Sequence, residues 1–387
     1  MTDISPAMVN DTLMENVIET LSDSTETYLI HDPSDIRKPH SKKSENLGKV
    51  LDLKGKVING YSSHNVVVIN GTGRSVSLLS HQSYSNKDPK FLKKEFIDNL
   101  NAGKKFDDEK EARALYTSGN YFNQKTITTE ALKKSSQGIK SAYPTMNITH
   151  ILDREFDDGE LFDMINDELN DDFIIRVKKN RVTEKKDDEG KNIKLIDSDL
   201  QGSRHIPIQK VKFKNKVFQD VNLLIEWGCH NKYTVIRATI TDREGNNIFK
   251  APMLLITNKN IKCEESAHQV YLNYLKRSKI ESVFRFLKDG LGWEDMQIRD
   301  FKAIQSLLSL CFYVSAYLYE IGEKVTYDDF SIILADLGGG KGRVTRHYIF
   351  KGIQILLMKT RADRILETAK IPKESQDRLS SFAGVGF

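Results

Sequence analysis

Two short apolar, β-prone runs each lead the chain into an aspartate, and this repetition constrains the fold more than any other feature. Thr27 to Ile30 runs into His31-Asp32-Pro33, and Pro33 has no N–H to give a sheet, so Asp32 is expected at or near a strand end. Ile148 to Leu152 is a second strand, and it delivers Asp153. Directly afterwards the apolar period changes. Phe156, Leu161, Ile165 and Leu169 recur at helical spacing, with Asp and Glu crowding the first turns as the helix dipole prefers.

The remaining pattern is read in the same way. Val66 to Ile69 and Ser75 to Leu79 are expected strands joined by a turn containing Gly71 and Gly73. A charged stretch from Lys90 to Lys140 is expected to be helical, and Phe173 to Val177 to be a strand. The charged run Lys178 to Lys194 reads as a solvated loop. Strands then follow one another at Ile206 to Phe213, Val221 to Ile225, Tyr233 to Ile240 and Met253 to Thr257, a β-rich insertion. From Gln269 onward the chain is mostly helical, without an internal repeat or low-complexity tract.

Composition narrows the classes. At 387 residues and 39% hydrophobic content the chain can bury a sizeable core. Cys229, Cys263 and Cys311 lie far apart without C-x-x-C spacing, so neither a disulfide framework nor a zinc site is suggested. The first 30 residues lack the basic start and apolar run of a secretory signal, and a reducing cytoplasm is the expected compartment. Ile304 to Ile321 approaches membrane-span length, but Gln305, Ser306, Ser309, Ser315 and Glu320 interrupt it, and a buried helix with no membrane partner is expected. A net charge of +4 permits a polyanionic partner without requiring one.

The most informative stretch is Tyr274, Arg277, Glu281, Arg285 and Lys288, which a helical wheel places within an arc of about 80°. Leu275, Ile280, Val283, Phe284, Phe286 and Leu287 fill the rest of the wheel and can pack on a core. Taken alone, this is an ordinary amphipathic helix in which Glu281 pairs with Arg277 or Arg285. With Asp32 and Asp153 at strand-adjacent positions, another reading opens. Carboxylates converging from two strands and a helix can hold two Mg²⁺ ions roughly 3.5 to 4 Å apart, the geometry for in-line displacement at phosphorus.

Tyr274-x2-Arg277-x3-Glu281-x6-Lys288 resembles the Y-x2-R-x3-E-x6-K signature of DDE transposases of the insertion-sequence-four type. Asp153-Arg154-Glu155 is similar to that family's D-R-E element, which carries the second catalytic aspartate. His31-Asp32-Pro33-Ser34-Asp35, with Lys38-Pro39 and Lys42-Lys43 behind it, is similar to the segment carrying the first. The resemblance spans about Tyr28 to Tyr319, most of the chain.

That resemblance implies an α/β fold: a ribonuclease-H-like mixed sheet flanked by helices, with a β-strand-rich insertion and a helical C-terminal region. The implied organisation is 1–26 as the remnant of a DNA-binding region, 27–180 and 251–302 as the two parts of the catalytic core, 181–250 as the insertion and 303–387 as the helical end. It further implies a polynucleotidyl transferase in which Asp32, Asp153 and Glu281 ligate Mg²⁺, two ions with Mn²⁺ able to substitute. Tyr274, Arg277, Arg285, Lys288 and Arg154 would contact DNA, although Arg154 could instead orient Asp153. Implied partners are transposon ends and target DNA, within a homodimer assembled on DNA, in the cytoplasm at the nucleoid. A truncated, non-catalytic inhibitor or relic and a structure-selective nuclease remain open beside it.

Other signals point elsewhere or to nothing. Leu337-Gly338-Gly339-Gly340-Lys341-Gly342 departs from a phosphate loop because Gly342 stands where Ser or Thr is needed, so a turn between helices is expected and no nucleotide cofactor. His64, His81 and His150 are expected to satisfy local hydrogen bonds rather than bind metal. Of two basic clusters, Arg37 to Lys43 is preferred to Arg176 to Lys186 as a DNA path because it directly follows Asp32. The helical end serves either dimerisation or its own core.

Overall fold

A computed structural model of the chain describes residues 4–21, 26–71, 75–103, 109–186, 189–214, 216–324 and 329–368. The chain divides into two compact units, 1–313 and 314–387. In the first, α1 (Pro6–Thr20) precedes β1 (Glu26–Arg37), β2 (Gly48–Leu51), β3 (Val57–Asn70) and β4 (Val76–Tyr84). Helices α2 (Lys94–Asn101), α3 (Glu109–Ser118) and α4 (Gln124–Ala142) lead to β5 (Asn147–Leu152), α5 (Gly159–Asp163) and β6 (Asp172–Arg176). Then come β7 (Val182–Lys186), β8 (Asn192–Lys194), β9 (Gly202–Phe213), β10 (Lys216–His230), β11 (Tyr233–Thr241) and β12 (Met253–Thr257). Finally α6 (Glu264–Leu275), α7 (Ser278–Arg285) and the start of α8 (Phe301–Lys324) close the unit.

All but two of these strands form one mixed sheet in the order β2-β3-β1-β5-β6-β12-β11-β10-β9, with β4 also paired to β3. Strand β1 runs antiparallel to β3 and parallel to β5, and β5 runs parallel to β6. This is the mixed sheet flanked by helices that the resemblance implies. The strand-rich stretch does not stand apart from it: β12 pairs antiparallel with β6, and β11, β10 and β9 extend the same sheet. The run 178–194, expected as a solvated loop, instead contains the β7–β8 hairpin. Its charges mask the alternation, since Lys185, Lys186 and Lys194 of the two strands are exposed. Of the expected turn between β3 and β4, Gly73 lies outside the described residues.

Side chains alternate along a strand, so each residue of β1 belongs to one of two faces. Leu29 shares one face with Ile148, Val66, Val68 and Leu79, and this face is covered by α1 and α4 through Val17, Leu21 and Ile139. Segment 1–26, expected as the remnant of a DNA-binding region, therefore supplies a core helix: Val9, Leu13 and Val17 of α1 are buried. Further along, Leu132 of α4 and Leu161 and Phe162 of α5 pack on Leu152, Phe173 and Ile175.

Within that face runs a buried hydrogen-bonded chain. Asp171 Oδ2 lies 3.0 Å from His150 Nε2, His150 Nδ1 lies 3.1 Å from His31 Nε2, and His31 Nδ1 lies 3.4 Å from His64 Nε2. Because Asp171 only accepts, His150 donates to it, His31 donates to His150, and His64 donates to His31. Asp171 stays below the ordinary carboxylate range: burial pushes it up, but the bonds from His150 and Lys140 outweigh that. His64 and His150 thus satisfy local hydrogen bonds. On the other face His81 shares Nδ1 with Asn65 Oδ1 at 2.8 Å, while its Nε2 has no hydrogen-bond partner among the described residues.

Helix α8 is the one described helix long and apolar enough to cross a membrane by length and composition. Its first half buries Ile304, Leu308 and Phe312; Phe301 stacks on Tyr61 and Gln305 donates to Ser83 O. That is the packing of a core helix. In the second unit, α9 (Asp329–Leu337) and α10 (Arg346–Thr368) form a pair around Leu334, Ala335 and Ile349. A Cβ at Gly338 would overlap the Tyr348 carbonyl oxygen, so that glycine serves helix packing. Gly339 and Gly342, at φ of 87° and 79°, make the turn.

Burial lowers the pKa of His64 to about 4 and of His81 to about 3. The folded values lie below the unfolded one near 6.5, so the unfolded chain binds protons that the folded chain refuses, and stability falls as pH drops through that window. Each histidine should cost about 1.4 kcal/mol per pH unit between roughly pH 6.5 and its folded pKa. Urea midpoints should fall steeply from about pH 7 to about pH 5, and less steeply in His81→Gln. A pH-independent midpoint over that range would contradict this.

Candidate active site

Pairing between β1 and β5 ends at His31 opposite Leu152. Asp32 and Asp153 are the next residues on their strands, and both fall on the face opposite the histidine chain. Asp32 is not at a strand end, as Pro33 had suggested: β1 continues to Arg37 along β3. The β5 neighbour is already gone at Pro33, so a residue without an N–H is carried with one partner strand only. Asp153 caps a short turn, with Oδ1 accepting the Arg154 backbone N–H at 2.7 Å.

The expected single stripe is broken. Helix α6 ends at Leu275 and α7 begins at Ser278, and at the junction Arg277 N donates to Tyr274 O and Ile280 N to Arg277 O. These three-residue spacings tighten the turn. Tyr274 therefore sits in the last turn of α6, Arg277 in the junction and Glu281 in the first turn of α7. Ile280, Val283 and Leu287 are buried as the wheel implied, whereas Leu275 is exposed. A π-helical turn follows at Phe286–Gly290. It sends Lys288 Nζ to the Asp35 carbonyl oxygen at 2.7 Å and to within 3.4 Å of Glu294. Arg285 is exposed on α7.

The junction brings Arg277 among the three carboxylates. Its Nη1 lies 2.9 Å from Asp32 Oδ2, and its Nη2 lies 3.1 Å from Glu281 Oε1 and 3.7 Å from Asp153 Oδ2. Tyr274 OH donates to Asp153 Oδ1 at 3.3 Å. Burial raises the Asp32 pKa to about 7; Arg277 opposes the rise, while Asp153, Glu155 and Glu281 add to it. Burial also raises Tyr274 above the usual phenol range. The charges of β1, β5 and α7 are thus strongly coupled.

Three carboxylates on three elements are the donor chemistry of a hard divalent cation. As the side chains stand, however, no group of three His, Cys, Asp or Glu among the described residues is arranged as a metal-binding set. The guanidinium of Arg277 lies where they converge.

Beside Asp153 opens a cleft of about 680 Å³ lined by Arg154, Arg176, Lys178, Lys179, Glu155 and Gln124, among others. Arg176 Nη1 is 3.9 Å from Asp153 Oδ1. Beside Arg277, the basic cluster at 176–186 therefore places one further cation, Arg176, next to Asp153. Arg37 and Lys38 of the preferred cluster are held internally. Arg37 forks onto Glu294 at 2.9 and 2.8 Å, and Lys38 Nζ donates to Glu294 O and Met296 O at 2.7 and 2.8 Å. The signal that could have ranked Arg176 higher is its place at the end of β6, the strand next to β5.

A mixed sheet flanked by helices, with one aspartate on β1, one just past the adjacent parallel strand β5 and a glutamate on α7, is consistent with a ribonuclease-H-like fold. Residues 128–317 match the family model of the transposase DDE domain. The match includes Asp153 and Glu281 and supports transposase function of the DDE type; Asp32 lies outside it. No curated protein matches the chain.

Tyr274→Phe removes the bond to Asp153 from a buried ring. Urea denaturation should show a loss of about 1 kcal/mol; an unchanged midpoint would mean that the hydroxyl does not hold Asp153.

Proposed function

We propose that this chain is a DNA transposase that cuts and joins strands with Asp32, Asp153 and Glu281 as ligands of Mg²⁺, two ions with Mn²⁺ able to substitute. The observation that carries this reading is the convergence of those carboxylates on one guanidinium beside a cation-lined cleft. When bound, such ions activate the attacking water or DNA 3′-hydroxyl and stabilise the leaving oxygen. The chain's own residues do the rest. Arg154, Arg277 and Arg285, joined by Arg176, Lys178 and Lys179, hold phosphates near the scissile bond. Tyr274 orients Asp153 through its hydroxyl, and Lys288 ties the helix to β1 through the Asp35 carbonyl.

In this reading the Y-x2-R-x3-E-x6-K signature places the chain in the insertion-sequence-four type. Residues 27–180 and 251–302 form its catalytic core, 181–250 the insertion and 303–387 a helical end that serves a homodimer on DNA. Transposon ends and target DNA are the partners, in the cytoplasm at the nucleoid.

The test is strand transfer. With Mg²⁺ or Mn²⁺, wild-type protein should join pre-cut ends taken from the DNA flanking its gene, and Glu281→Gln should lose at least about 10³-fold in rate, the scale of losing a metal-centred term. Release of nicked product without joining would favour a hydrolytic nuclease, and absence of both would sink the reading.

A further inference from the structure

We infer that Arg277 is a removable counter-ion: in the DNA-free protein its guanidinium occupies the carboxylate site, and a DNA phosphate draws it away, so that divalent metal uptake depends on DNA. The inference rests on the reading that Asp32, Asp153 and Glu281 are metal ligands, and it adds how that site is regulated.

The geometry carries the argument. One planar guanidinium bridges carboxylates on β1, at the end of β5 and on α7, with Nη1 on Asp32 and Nη2 shared between Glu281 and Asp153. A divalent cation such as Mg²⁺, held at about 2.0 to 2.1 Å by oxygens of the same three carboxylates, would take the place where they converge, which the guanidinium now fills, and the two like charges repel. The two cations therefore compete. Side-chain exposure of Arg277 is only 17%, so turning it away from the carboxylates without a new partner would leave a charge partly desolvated and unpaired.

Phosphate is the partner whose oxygens match the guanidinium fork, as carboxylates do. The route for it is already lined with cations. Arg176 approaches Asp153 from the adjoining cleft, and Arg154, Lys178 and Lys179 line the same space. A backbone entering there brings anions within reach of Arg277 and removes the cost of its leaving the carboxylates. The consequence is order: DNA first, then metal, which keeps the metal centre unformed until there is a strand to cut.

The experiment measures Mn²⁺ binding by electron paramagnetic resonance. Wild type, Arg277→Gln, Lys54→Gln and Glu281→Gln are compared with and without a short DNA duplex, and Mn²⁺ taken up by the duplex alone is subtracted. Circular dichroism of each variant establishes that it is folded, and Arg277→Lys provides a milder replacement that keeps the charge. Wild type should bind Mn²⁺ at least about tenfold more tightly with DNA than without, a typical coupling between sites. Arg277→Gln should bind it without DNA about as tightly as wild type does with DNA, and should gain little when DNA is added. Lys54→Gln, at an exposed lysine between β2 and β3, should behave as wild type.

Equal Mn²⁺ affinity of wild type and Arg277→Gln without DNA, with loss in Glu281→Gln, would overturn the counter-ion role and leave the metal triad standing. So would DNA-free Mn²⁺ binding by Lys54→Gln as tight as that of Arg277→Gln, since the effect would then be general electrostatics. Failure of every form to bind Mn²⁺, with DNA present, would overturn both the inference and the reading beneath it.

Discussion

The parallel register of β1 against β5 is the constraint on which the rest of the structure depends. It sets His31 opposite Leu152 and so leaves Asp32 and Asp153 side by side just past the end of the pairing. The chain from Asp171 through His150 and His31 to His64 fixes that register from the other face of the sheet. Sliding β1 by one residue would turn His31 out of the chain and Asp32 into it. An imidazole stranded in the core would cost about 1 to 3 kcal/mol for each lost partner. The polar chain buried on one face thus specifies where the carboxylates emerge on the other.

On the carboxylate face the balance is electrostatic. Asp32 is almost enclosed and shares its surroundings with Asp153, Glu155 and Glu281, and burial with these neighbours pushes its pKa to about 7. A site built for stability alone would not crowd carboxylates around a buried one. Arg277, placed at the tight junction between α6 and α7, offsets the crowding. Local geometry there is set by the three-residue hydrogen bonds of the junction, which aim the guanidinium inward where a continuous helix would have kept it on the stripe.

Much of this could be read from the sequence. Met253 to Thr257 is a strand with the bounds that the apolar run gives, and the strands leading to Asp32 and Asp153 follow from their β-branched and aromatic residues. The rest depends on contacts that local pattern does not encode. Strand β1 outlasts its apolar run because β3 pairs with it through Ser34 and Asp35, past the strand end that Pro33 suggests at or near Asp32. The break at Arg277 carries no Gly or Pro. The histidine chain joins residues 31, 64, 150 and 171, so it exists only once four segments are adjacent. Likewise Arg37 heads the basic cluster preferred as a DNA path, yet Glu294, distant in sequence, takes both arms of its fork.

The central claim is that β1, β5 and α7 assemble one metal centre, and anomalous diffraction from crystals of the protein with DNA and Mn²⁺ tests it most directly. The account predicts a Mn²⁺ peak at ordinary coordination distance, about 2.0 to 2.3 Å, from carboxylate oxygens of both Asp32 and Asp153, with Glu281 completing the set. A peak elsewhere on the protein, with Arg277 still seated among those carboxylates, would contradict it.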